Sequence, residues 1–186
     1  RGNSNKLAGR LLWHLYMEKL NVGILGVQGG LADNAIPRET TITVLVQEEQ
    51  EESFVRAVNT FEAIVKAELI TKDPDFMIDL EKRNEVSEKQ AICGKNYAVV
   101  AGFINALPNG VQAMSAEVQG KVETSLNLGI LKIDEEKVQA SFSVRSSIEG
   151  SKRALIEKIM SIFMIIAVGF LANRIGFLPK EASRYM

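Results

Sequence analysis

The sequence is poor in the residues that most often build metal and redox sites: one cysteine and one histidine among 186 residues. A single cysteine, Cys93, excludes a disulfide framework within the chain. A single histidine, His14, excludes a Cys/His zinc site or a His-rich centre contained in this chain. Charge of one sign is lacking as well, since 22 Lys and Arg face 23 Asp and Glu for a formal net charge of −1. No basic excess is available to grip nucleic-acid phosphates, so nucleic acid is not an expected partner. What is present is ordinary for a globular chain, 46 % apolar and 24 % charged residues, which excludes wholesale disorder. The length suits one domain, or one built from two similar halves.

Helical spacing begins at once. Asn3 or Ser4 can cap a helix reaching Leu20, with Leu7, Leu11, Leu15, Ala8 and Leu12 toward one face. His14 sits on this helix without a second ligand and reads as a packing or surface residue. Val22–Val27 and the β-branched run Thr40–Val46 read as strands, joined by a turn-rich connection from Gly29-Gly30 to Glu39. Glu48–Leu69 is the clearest helix. Phe54, Val58, Phe61, Val65 and Leu69 form its stripe, and glutamates crowd its first turns, where the helix dipole favours anions. Residues 72–90 read as a loop. Ile92–Leu107 is a further apolar helix stopped by Pro108-Asn109-Gly110, with Cys93 expected to be buried and inert at its start.

A hairpin follows. Val122, Thr124, Leu126, Leu128 and Ile130 alternate with Glu123, Ser125, Asn127 and Gly129, and Val138–Val144 alternates in the same way on the return. Keeping both apolar sets on one face requires a three-residue loop or a bulge, and sets Ser125 near Arg145. Another helix starts near Ser151. The order helix, strand, strand, helix therefore occurs twice. It predicts an α+β fold in which antiparallel sheet is covered by helices, in two related ferredoxin-like halves whose first strand would precede residue 1.

The polar hairpin face holds Arg145 among hydroxyls. A guanidinium there suits a carboxylate or phosphate, because its planar fork binds two oxygens, and an ordinary solvated sheet face is the alternative. Asn34, in Asp33-Asn34-Ala35-Ile36-Pro37, either aims an amide at a ligand or simply shapes a turn. Gly29-Gly30 and Asn109-Gly110 lack the spacing of a phosphate loop.

Five segments resemble one known family in order and approximate spacing: Arg1-Gly2-Asn3-Ser4-Asn5-Lys6-Leu7, Asp33–Glu39, Pro108-Asn109-Gly110-Val111, Val122–Gly129 and Val144-Arg145-Ser146-Ser147. The resemblance is to the lid, or dimerisation, domain of the aminoacyl-histidine dipeptidases, also called cytosol non-specific dipeptidases, and covers residues 1–158. It implies a piece of a zinc-dependent dipeptidase, cytoplasmic, whose zinc ligands and water-activating carboxylate lie in a catalytic domain absent from this chain. It implies no metal and no catalytic residue here, so the chain alone would be inactive. Arg145 would hold the C-terminal carboxylate of a dipeptide substrate, and Asn34 would hydrogen-bond the substrate. A non-catalytic dimerisation or interaction domain, forming a homodimer through the lid, is the alternative.

The two ends, Arg1 and Tyr185-Met186, read as those of a piece of a longer protein. Residues 159–186 look foreign to the lid. From Ile159 to Ala172 an apolar helix carries no charge, short of the ~18–20 residues that span a bilayer. Met160–Met186 resembles the start of an auxin-efflux-carrier-type transporter. A junction of unrelated reading frames near Lys158–Ser161 would explain this. The competing expectation is a membrane-associated fusion fragment held through residues 159–178.

Overall fold

The computed structural model describes residues 2–83, 90–134 and 137–174, with side chains as far as residue 165. Its elements are α1 (Ser4–Met17), β1 (Val22–Gly29), β2 (Thr40–Val46), α2 (Glu51–Leu69), α3 (Gly94–Ala106), β3 (Gly110–Met114), β4 (Val122–Ile133), β5 (Val138–Ser146) and α4 (Glu149–Arg174). Among the described residues the fold is α+β: a five-stranded antiparallel sheet with four helices, in the strand order β2-β1-β4-β3, with β5 also paired to β4. Two compact units divide the chain. The first holds residues 1–110 and 126–143, the second residues 111–125 and those from 144 onward.

In the first unit, Asn3 caps α1 by accepting from the Lys6 N–H at 3.1 Å, which satisfies one of the four orphan donors of the first turn. Helices α1 and α3 cover β1 and β4. Leu12, Val22, Ile24, Val27, Ile104 and Leu131 form the centre of the core. A side chain at Gly9 would strike Ile104, so glycine lets the two helices close on one another. The Tyr97 hydroxyl donates to the Leu12 carbonyl at 2.7 Å, and burial pushes its phenol well above the ordinary range. Helix α2 packs Ala57 and Val58 on Leu15. Ahead of α3, Ile92 bridges Ile24 through a reciprocal pair of backbone bonds at 2.8 and 2.9 Å.

Three expectations change, one strand was not foreseen, and one loop is followed only in part. Helix α2 begins three residues late, because Glu48–Gln50 forms a tight 3-10 turn with no side-chain cap. Strand β3 was not legible: its five residues, Gly-Val-Gln-Ala-Met, show no alternation. In β4, burial follows Thr124, Leu126 and Leu128, then moves to Leu131 and Ile133, leaving Ile130 half-buried. The alternation slips by one residue at Gly129. At the turn Asp134 donates to Lys137, whereas at the far end Ser147 donates to Glu123. That leaves one more residue in β4 than in β5, the bulge alternative for this hairpin. Cys93 is exposed at the N-cap of α3 rather than buried. The loop expected over 72–90 has no regular structure through 83, and residues 84–89 lie outside the described residues.

In the second unit, Leu155 and Ile159 are the buried face of α4, which runs unbroken through Lys158. Among the described residues, no helix is long and apolar enough to cross a membrane. The expected membrane stretch 159–178 extends past them.

Candidate functional site

Four of the five motif segments meet in the first unit, at the end of the sheet where β1 leads into the connection 30–39. The meeting is made by asparagines. Asn5, fully buried, donates from Nδ2 toward the carbonyls of Gly29, Leu128 and Gly129 at 3.2–3.4 Å. Its Oδ1 accepts from the Thr40 hydroxyl at 2.8 Å. Asn3, 7 % exposed, donates to Asn127 Oδ1 at 3.0 Å, the Leu128 carbonyl at 3.1 Å and Asn109 Oδ1 at 3.2 Å. Asn109 Oδ1 also accepts from the Leu128 N–H at 2.8 Å. These partners lie far apart in sequence, so each bond closes a long loop onto the sheet end.

The same network fastens the connection 30–39. Asn127 Nδ2 donates to the carbonyls of Asp33 at 3.0 Å and Ala35 at 2.7 Å. Ser4 N–H donates to the Pro37 carbonyl at 3.3 Å, and Pro37 is buried. Gly30 turns the chain with φ of 79°, and any side chain at Gly129 would collide with the backbone of Asp33. Two bare backbones therefore lie against each other here, as only glycine allows. The connection keeps its backbone tied down while the side chains from Leu31 to Ile36 stay exposed, Asn34 among them.

Lys6 belongs to this end of the unit too. Its ammonium donates to the carbonyls of Ile104, Asn105 and Leu107 at 2.9, 2.8 and 2.7 Å, capping the C-terminal end of α3. Burial, helped by the charge of Arg10, lowers its pKa to about 8.

Arg145 lies in the second unit, exposed near the end of β5. The register of Ser147 with Glu123, and of Thr124 with Ser146 at 2.8 Å between hydroxyls, sets Ser125 opposite Arg145. Glu123 is engaged by hydroxyls: Ser151 donates to its Oε1 at 3.0 Å and Thr124 at 3.3 Å. Asn34 belongs to the first unit.

No group of three or more His, Cys, Asp or Glu able to hold a metal ion occurs among the described residues. His14 Nε2 is buried with no hydrogen-bond partner, and its ring stands 5.6 Å from that of Phe61. A lone nitrogen beside a phenyl ring is not a zinc donor set, so the described residues do not fit that metal. A shallow cleft of about 600 Å³ along the first turns of α2, lined by Glu48, Glu51, Glu52, Val55, Arg56 and Asn59, shares no residue with the motifs.

Residues 2–73 match the family model described as the peptidase dimerisation domain. Over 161 residues, 87 % of the chain, the sequence is 32 % identical to the cytosol non-specific dipeptidase of Escherichia coli (strain K12). The crystal structure of aminoacylhistidine dipeptidase from Vibrio alginolyticus superposes with a TM-score of 0.81 at 32 % identity, covering 90 % of the chain. The chain spans about a third of each relative, 33 % of the first and 34 % of the second.

Sequence reasoning singled out Asn34 and Arg145 but gave no role to Asn5, read Asn109 only as part of a helix stop and Asn127 only as part of the polar hairpin face, and gave Asn3 only a cap. The available signal was that all four asparagines stand inside the segments that carried the family resemblance.

Proposed function

We propose that this chain is the lid, or dimerisation, part of a zinc-dependent cytosolic dipeptidase. Arg145 binds the C-terminal carboxylate of a dipeptide through its two-pronged guanidinium, and the Asn34 carboxamide hydrogen-bonds the substrate. The metal, which supplies an activated water for peptide hydrolysis, is held by a catalytic domain outside this chain. The chain alone therefore binds without hydrolysing. The observation that carries the reading is the convergence of four motif segments on one anchored connection with Asn34 exposed on it. The kinship to two dipeptidases over most of the chain supports it.

The test is a titration of the purified chain with glycylglycine, with and without zinc. The expected result is saturable binding, weakened at least 10-fold by Arg145→Ala and partly restored by Arg145→Lys, with no glycine released. Hydrolysis by the chain itself, or binding indifferent to Arg145→Ala, overturns the reading.

A second reading, a non-catalytic homodimerisation domain, is favoured by the family model matched at residues 2–73. Sedimentation analysis separates them: a dimer that binds no glycylglycine supports this reading over the first.

A further inference from the structure

We propose that Asn127 is a positioning residue: its carboxamide, oriented by Asn3, grips the backbone on both sides of Asn34 and fixes the direction in which Asn34 is presented. This rests on the reading of Asn34 as a substrate contact and adds to it the group that aims it.

An asparagine carboxamide has two N–H donors and one carbonyl acceptor. Asn127 commits both donors to the connection, one toward the Asp33 carbonyl at 3.0 Å and one toward the Ala35 carbonyl at 2.7 Å. Asn34 is the residue between them. The Asn127 acceptor takes a hydrogen from Asn3 at 3.0 Å. The orientation of the amide follows from its partners. Turned over, Asn127 would present oxygen to two carbonyl oxygens and nitrogen to the nitrogen of Asn3. Asn3 is held in turn, because its own Oδ1 accepts from the Lys6 N–H in the N-cap of α1. A chain of amides thus runs from a helix cap to the carbonyls of the two residues flanking Asn34.

Joining two antiparallel strands needs only a two-residue turn, whereas residues 30–39 intervene between β1 and β2. The extra length exposes side chains from Leu31 to Ile36 while the half-buried Asn127 holds the backbone. Ordering so long a connection costs conformational entropy that strand pairing alone does not require. A backbone that is fixed and side chains that are displayed is the arrangement of a presenting loop.

The test uses the ¹⁵N-labelled 186-residue chain with two variants, Asn127→Asp and Asn127→Ala. Asn127→Asp keeps the shape but sets an oxygen against the two carbonyls; Asn127→Ala removes the grip without adding charge. In both, the side-chain amide resonances of Asn34 shift and the Ala35 amide exchanges at least 10-fold faster, while the amides of α2 are unchanged. The Kd for glycylglycine rises at least 10-fold, as in Asn34→Ala, and the double variant Asn34→Ala with Asn127→Ala weakens binding no further. Asn34 resonances and Ala35 exchange that stay at wild-type values in a folded variant overturn the proposal. Should both variants unfold, the wild-type chain decides. Asn127 side-chain protons exchanging as fast as those of exposed Asn59 overturn it, and protection of at least 10-fold upholds it. If Asn34→Ala binds glycylglycine like wild type, the substrate reading fails by itself, and the Asn34 resonances still report whether Asn127 sets that residue.

Discussion

The Lys6 ammonium lies 2.7 Å from the carbonyl oxygen of Leu107, the residue that ends α3, so the first turn of one helix caps the last turn of another. A cation at a helix C-terminus meets both orphan carbonyls and the negative end of the dipole. Burial opposes it and brings the folded-state pKa to about 8, against 10.5 in the unfolded chain. Below pH 8 both states hold the proton and the penalty of a half-buried charge is fully present. Between about 8 and 10.5 the unfolded chain binds more protons, so stability rises with pH by linkage. Urea unfolding at pH 7, 9 and 10 is expected to show wild type gaining on Lys6→Met across that window, and ¹³C titration of Lys6 should give a midpoint near 8.

Gly129→Ala is expected to displace the Asn34 connection rather than the core. The added methyl would occupy the space of the Asp33 backbone, whereas the neighbouring Leu128 already faces the interior. Moving backbone costs on the order of 1–3 kcal/mol. The thermal midpoint should fall accordingly, with amide shift changes concentrated at residues 31–36.

The slip in β4 makes a prediction that an unbroken alternation would reverse. Leu131 is fully buried and Ile130 is not. Leu131→Ala should cost roughly 2–5 kcal/mol as a core truncation, and Ile130→Ala distinctly less. Denaturant midpoints of the two variants read the order directly.

Much of the fold was legible because it is written locally. Thr40–Val46 is a run of β-branched residues that suits only a strand, and its limits in the structure are those of the run. The stripe of α2 returns as buried Val58, Phe61 and Val65. Two readings failed where a local pattern was overruled. The period-2 rule carried Ile130 inward because nothing in the spacing marks Gly129 as the point where β4 bulges. Cys93 looked buried because an apolar run follows it, but the cap position it occupies faces solvent. The site was legible only in part for another reason. Asn5 and Asn127 act through partners 24 to 124 residues away, and hydrogen bonds at that separation leave no periodicity in a sequence. Read locally, an asparagine suggests a cap or a turn, which describes Asn3 in half of its role.

We further propose a domain limit between residues 158 and 159. Deleting 159–186 is expected to leave the first unit folded and to improve solubility, at the cost of about 1–3 kcal/mol in the second unit because Ile159 is buried there. Circular dichroism melting of the shortened chain checks this; loss of all cooperative unfolding would make the removed segment part of the core.

The bond from Asn127 to the Asp33 carbonyl joins residues 94 apart in the chain. At a synthesis rate of ~5–20 residues per second, roughly 5–20 seconds pass between the making of the Asn34 connection and the making of the amide that fastens it. On the ribosome, β1 and β2 can pair long before the two carbonyls beside Asn34 have anything to hold them. The part of the chain that displays Asn34 is therefore among the last to acquire its shape, and a product cut short before Asn127 would carry the connection in full but leave it slack.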